Sequence, residues 1–114
     1  MTTFNEREQA FEAKFAHDEE FRFLVDARRD KLFAHWAASV AGIAGEAETA
    51  LVDAVLAIPN GPDHDATAMR HARRVLAERG VAVTDPHLVA ALDRCAIDAR
   101  GQLTAHPPHQ SDIV

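Results

Sequence analysis

Phe21-Arg-Phe-Leu-Val-Asp-Ala-Arg-Arg-Asp-Lys-Leu-Phe-Ala-His-Trp-Ala-Ala-Ser-Val-Ala-Gly-Ile43 is the stretch whose periodicity decides the fold. Phe21, Leu24, Val25, Leu32, Trp36, Val40 and Ile43 recur at helical spacing, so one face of a long α-helix turns inward. Just ahead of it Asp18 is the expected N-cap, with Glu19 and Glu20 suited to the positive end of the helix dipole. Just behind it Gly42 and Gly45 end the helix. A second helix is expected from about Glu46 to Ile58, with Leu51, Val55 and Ile58 inward and Pro59-Asn60-Gly61-Pro62 as its stop. A third begins near Asp63 or Asp65, turns Met69, Ala72, Val75 and Leu76 inward, and meets its C-cap at Gly80. Val81-Ala82-Val83 is too short for a strand and reads as an apolar link. Thr84 then caps a fourth helix, with Pro86 in the first turn and Leu88, Leu92, Ala96 and Ala99 as its buried stripe. The expected fold is all-α: a four-helix bundle of antiparallel helices joined by short loops.

Around this bundle the chain divides unevenly. Residues 1–17 form an N-terminal arm, residues 18–104 the four-helix domain, and residues 105–114 a flexible tail in which Pro107 and Pro108 prevent helix extension. The 114 residues suffice for one domain, and 47% apolar against 26% charged residues provides a real core. A net charge of −6 argues against a nucleic-acid clamp, which needs a basic face. Residues 1–20 hold six acids against two bases, so most of that charge belongs to the arm and its junction. A single cysteine, the absence of a signal-type apolar run and the absence of a membrane-length segment give the expectation of a cytoplasmic protein with no direct membrane insertion.

In the arm the large apolar residues are Phe4, Phe11 and Phe15, seven and four apart, so a helix would align them on one stripe. A helix this short is marginal in water, and the arm is therefore expected to be mobile and potentially helical in the free protein. Two destinations for the stripe stand open on spacing alone. It either fits a groove on a partner or docks on the chain's own bundle.

Chemistry-bearing motifs are sparse. Glycines 42, 45, 61, 80 and 101 stand at helix ends and form neither a P-loop nor a dinucleotide fingerprint. Cys95, among Leu92, Ala96 and Ala99, reads as a packing residue. The pairs His64 and His71, and His106 and His109, lack the spacing and third ligand of a helical zinc site, and most of the seven histidines read as surface residues. His17 sits beside three acids at the arm junction, as a solvated polar residue before a pH-responsive hinge. No residue is assigned as catalytic or as a metal ligand. Two basic clusters remain, Arg28 and Arg29 with Lys31, and Arg70, Arg73 and Arg74. Pairing with Asp26, Asp30, Asp63 or Asp65 within the chain is the favoured reading; the alternative is an anion site, with a weakly bound purine nucleotide as the possible ligand.

Phe4-Asn-Glu-Arg-Glu-Gln-Ala-Phe-Glu-Ala-Lys-Phe-Ala-His-Asp-Glu-Glu-Phe21, followed by Ala27-Arg-Arg-Asp-Lys-Leu32 and Leu32-Phe-Ala-His-Trp-Ala-Ala38, resembles the ATPase inhibitor subunit zeta family of alphaproteobacterial F-type ATP synthases. The likeness extends more loosely through Val75-Leu-Ala-Glu-Arg-Gly-Val-Ala-Val83 and leaves out the tail after about Leu103. It implies a four-helix protein, not an enzyme, whose N-terminal segment folds into a helix inside the catalytic head of the synthase, between nucleotide-binding subunits and near the rotor stalk. Lodged there, the segment blocks ATP hydrolysis. Carried onto this chain, residues 1–17 would be inhibitory, with Phe4, Phe11 and Phe15 as apolar anchors and Glu6, Arg7, Glu8, Glu12 and Lys14 as polar contacts. The expected protein requires no cofactor, is monomeric when free and associates peripherally with the membrane-bound synthase. Phe23, Leu24 and Val25, and the tail, depart from the family pattern. The competing class is a small helical module that binds an anionic ligand such as a purine nucleotide at one of the two arginine clusters, and a metal-dependent helical enzyme ranks last.

Overall fold

A computed structural model describes the backbone of residues 4–105 and the side chains of residues 18–105. Among them the chain forms α1 (Phe4–Ala41), α2 (Glu46–Leu56), α3 (His64–Glu78) and α4 (Asp85–Ala105), with no strand. The all-α, four-helix expectation holds. At 38 residues α1 is about 57 Å long at 1.5 Å per residue, and α2, α3 and α4 all pack against it. Asp18 is a correction, because it lies within α1 rather than capping its start. The expected arm contacts of Phe4, Glu6, Arg7, Glu8, Phe11, Glu12, Lys14 and Phe15, the junction residue His17 and the tail beyond Ala105 lie outside the described side chains.

Alanine rather than the large apolar residues sets the inner face of α1. Phe33, Ala34, Ala37, Ala38 and Ala41 are buried, whereas Val40 is 41% exposed and Leu32, Trp36 and Ile43 are half-buried at the rim. One helix that meets three others needs small side chains where they converge, so the axes can approach closely. The bulky residues then flank the contact, and Trp36 stacks on Phe33 with ring centroids 5.6 Å apart. The same shift appears elsewhere: Val52 is buried while Ile58 is half-buried, Ala68 is buried while Met69 and Val75 are half-buried, and Cys95 and Leu103 are buried while Ala96 is half-buried. Leu51, Val55, Ala72, Leu76, Leu88, Leu92 and Ala99 are buried as their periodicity requires.

Two apolar clusters result. The larger joins the Phe33 to Ala41 face of α1 to Leu51, Val52 and Val55 of α2, Ala68, Ala72 and Leu76 of α3, and Leu88, Leu92 and Cys95 of α4. The smaller joins Leu24 and Val25 to Ala99 and Leu103, so α4 runs antiparallel along α1 toward its N-terminal half.

Helix ends follow the sequence signals closely. The α1 terminus closes with Gly42 N–H donating to Ser39 O at 3.2 Å and Ile43 N–H to Ala38 O at 3.0 Å, with Gly42 at φ +74°. Gly80 at φ +75° closes α3 in the same way, donating to Ala77 O at 3.0 Å while Val81 N–H reaches Leu76 O at 2.8 Å. This paired bonding needs a left-handed residue, and the apolar residue that follows folds back onto the core. Thr84 Oγ1 accepts a 3.4 Å bond from His87 N–H, at the capping position ahead of α4.

Candidate functional site

The α2–α3 corner gathers most of the described polar structure. Pro59 and Gly61 stop α2, Asp63 occupies the N-cap position of α3, and His64 is its first residue. His64 lies on the stripe of Ala68, Ala72 and Leu76, four, eight and twelve residues on, so the helix carries its ring into the core. Asp30, three and four residues before Phe33 and Ala34, lies on the buried face of α1 for the same reason. The two meet at 2.6 Å, His64 Nε2 to Asp30 Oδ2, with both side chains buried. The other ring nitrogen, Nδ1, is 3.1 Å from the Pro59 carbonyl.

Arg29 completes the arrangement. Its Nε and Nη2 donate to Asp30 Oδ1 at 3.1 and 3.0 Å, and Nη2 also donates to Asp65 Oδ1 at 2.8 Å. The result is a line of alternating charge, Asp65, Arg29, Asp30 and His64, that ties α1 to the start of α3. Burial works against the Arg29 guanidinium's charge, but Asp30, Asp65 and Asp26 outweigh it and hold the pKa above the ordinary arginine value. For His64, burial again opposes the charged form, yet the Pro59 carbonyl and Asp30 overcome both burial and Arg29, so the ring's pKa is raised. A cleft of about 380 Å³ opens beside this corner, lined by Glu19, Arg22, Phe23, Asp26 and Arg29 of α1 and by Asn60, Gly61, His64 and Asp65. Phe23 is 57% exposed at its edge.

The sequence-predicted basic residues are distributed rather than assembled. Arg28 Nη1 donates to Gln102 Oε1 at 3.1 Å, fastening α1 to α4, while its buried Nε has no partner. Arg73 pairs with Asp85 at the start of α4, Arg74 Nη2 lies 3.4 Å from His71 Nδ1, and Arg70 is exposed. Arg74 lines a separate groove between α2 and α3 with Ile43, Leu51, Val75 and Arg79. Glu48, in the first turn of α2, meets His35 of α1 at 2.7 Å. Cys95 is buried, and burial pushes its thiol pKa up, with Asp98 adding and Arg29 opposing.

His64 is the residue that sequence reasoning misplaced. It reads as a surface histidine if histidines are counted, but its phase with Ala68, Ala72 and Leu76 places it inside. Among the described residues no group of three or more His, Cys, Asp and Glu side chains is placed to hold a metal ion, and no helix is long and apolar enough to cross a membrane.

Fold and site together define a small all-α protein in which three short helices fasten to one long helix through an alanine seam and a buried ionic corner. The chain belongs to the ATPase inhibitor subunit zeta family, whose model matches residues 1–102 and so takes in α1 from its first turn and nearly all of α4. No curated protein and no solved structure matches it. The family's role is that of an ATPase inhibitor subunit, a regulatory one.

Proposed function

We propose that this chain inhibits ATP hydrolysis by the F-type ATP synthase through residues 1–17, which insert as a helix between nucleotide-binding subunits of the catalytic head, beside the rotor stalk. The observation that supports this reading is the extent of the family match, which begins at residue 1 and includes the whole phenylalanine-bearing segment. Phe4, Phe11 and Phe15 anchor the helix, and Glu6, Arg7, Glu8, Glu12 and Lys14 provide its polar contacts.

Obstruction needs no reacting group. A ligand shifts a conformational equilibrium only by binding one state better than another, and about 5.5 kcal/mol of difference moves a population from 1:99 to 99:1. Burial of an apolar side chain contributes roughly 1.5–3 kcal/mol. Three phenylalanines therefore offset the roughly 2–5 kcal/mol that folding on binding costs and leave a useful remainder. The test adds purified chain to its own inhibitor-depleted ATPase and follows hydrolysis. Wild type is expected to inhibit, whereas Phe11→Ala with Phe15→Ala keeps the helical bundle by circular dichroism and loses inhibition; full inhibition by that double variant overturns the proposal.

A further inference from the structure

His64 is buried with an oxygen opposite each ring nitrogen, Asp30 Oδ2 at 2.6 Å and the Pro59 carbonyl at 3.1 Å. A carbonyl oxygen only accepts, so Nδ1 must carry a proton to satisfy it. Asp30 receives Arg29 on its other oxygen, which holds it as a carboxylate, so Nε2 must donate as well. Only the imidazolium ring has both protons. Charge balance gives the same answer, since Asp30 and Asp65 carry two negative charges against the one positive charge of Arg29, and His64⁺ makes the line neutral.

We propose that His64 is a pH-controlled latch: its imidazolium holds the α2–α3 corner onto α1, and loss of the proton frees the corner from the side of the cleft. A neutral ring can donate to only one of its two oxygens. The other then faces a lone pair in a buried site, a penalty that the corner relieves by moving into water.

The charged and titratable groups around the ring come from several elements. From α1 they are Asp30 and Arg29, with Asp26, Arg22 and Glu19 further along the cleft; from α3, Asp65; and just ahead of it, Asp63. The loop from Ala57 to Pro62 contributes the Pro59 carbonyl and no ionisable side chain. From α4, Cys95 feels both Arg29 and Asp98. Because the folded-state pKa of His64 is raised, the latch is fully closed below the ordinary imidazole value and opens as pH rises through the higher folded-state value.

Two measurements on the full chain test this. Nitrogen-15 NMR of the imidazole reports the protonation of each ring nitrogen, and amide exchange reports opening at His64 N–H, bonded to Gly61 O, and Thr67 N–H, bonded to Asp63 O. At pH 6.5 both ring nitrogens should be protonated. Protection factors at the two amides should fall as pH rises from the ordinary imidazole value through the folded-state titration, by at most about tenfold per pH unit, the limit for release of one proton, and level off above it. Asp30→Asn should move the His64 titration down and remove the pH dependence of protection. A neutral ring at pH 6.5, or protection that does not change across the titration, overturns the latch. Should Asp30→Asn fail to fold, the wild-type titration decides alone.

Discussion

Asp30 and His64 show how a polar residue becomes structural by phase. Each occupies an inward position of an otherwise apolar stripe, and each is tolerated there because the other is within 2.6 Å. Burying one such charge alone is prohibitive, and removing one partner of a buried pair costs roughly 3–5 kcal/mol. Asp30→Ala should therefore lower unfolding free energy by about that amount in urea melts, because it strands His64 and leaves Arg29 only its half-exposed partner Asp65. Asp65→Ala, which removes a half-exposed partner of the same arginine, should cost less than about 1 kcal/mol. Equal effects of the two substitutions would mean that the corner is a solvated surface network. The misplacement of His64 has a plain cause, since the sequence shows its helix position but not the carboxylate 34 residues earlier that satisfies it.

The C-terminal ends of α1 and α3 were legible residue by residue, because their signals are local. Gly42, directly after α1, and Gly80, one residue beyond the C-cap Arg79 of α3, both hold left-handed backbone with matching hydrogen bonds. Any other residue there accepts strain of roughly 1–2 kcal/mol. Gly80→Ala is accordingly expected to lower stability by about that amount without change in helical content, a result that thermal melts followed by circular dichroism will check. The start of α1 was misjudged at Asp18 by the opposite logic. An acidic residue ahead of an apolar periodic run is a cap signal only where the chain before it is not helical, and α1 includes residues on both sides.

At the scale of the molecule, α1 is the common partner and the other helices are fastened along it. Along it the described core runs from Phe21 and Leu24 in the smaller cluster to the alanine seam in the larger. On the proposed function residues 1–17 serve a partner and not the bundle, so their deletion should leave the melting temperature within a few degrees of wild type while abolishing inhibition of ATP hydrolysis. A collapse of the fold on that deletion would show that the phenylalanine stripe packs on the bundle, the other destination that its spacing leaves open.

The sequence by itself determined the all-α class, the number of helices, the glycine-marked ends of α1 and α3 and, through its quoted blocks, the family. Those features rest on local periodicity, on glycines and prolines at helix ends and on contiguous motifs. Tertiary structure alone decided which face of α1 is innermost, because close approach of three helices selects Ala34, Ala37, Ala38 and Ala41 over larger neighbours. It also decided that His64 and Asp30 belong inside, because the stability of a buried charge depends on a partner that folding must bring to it.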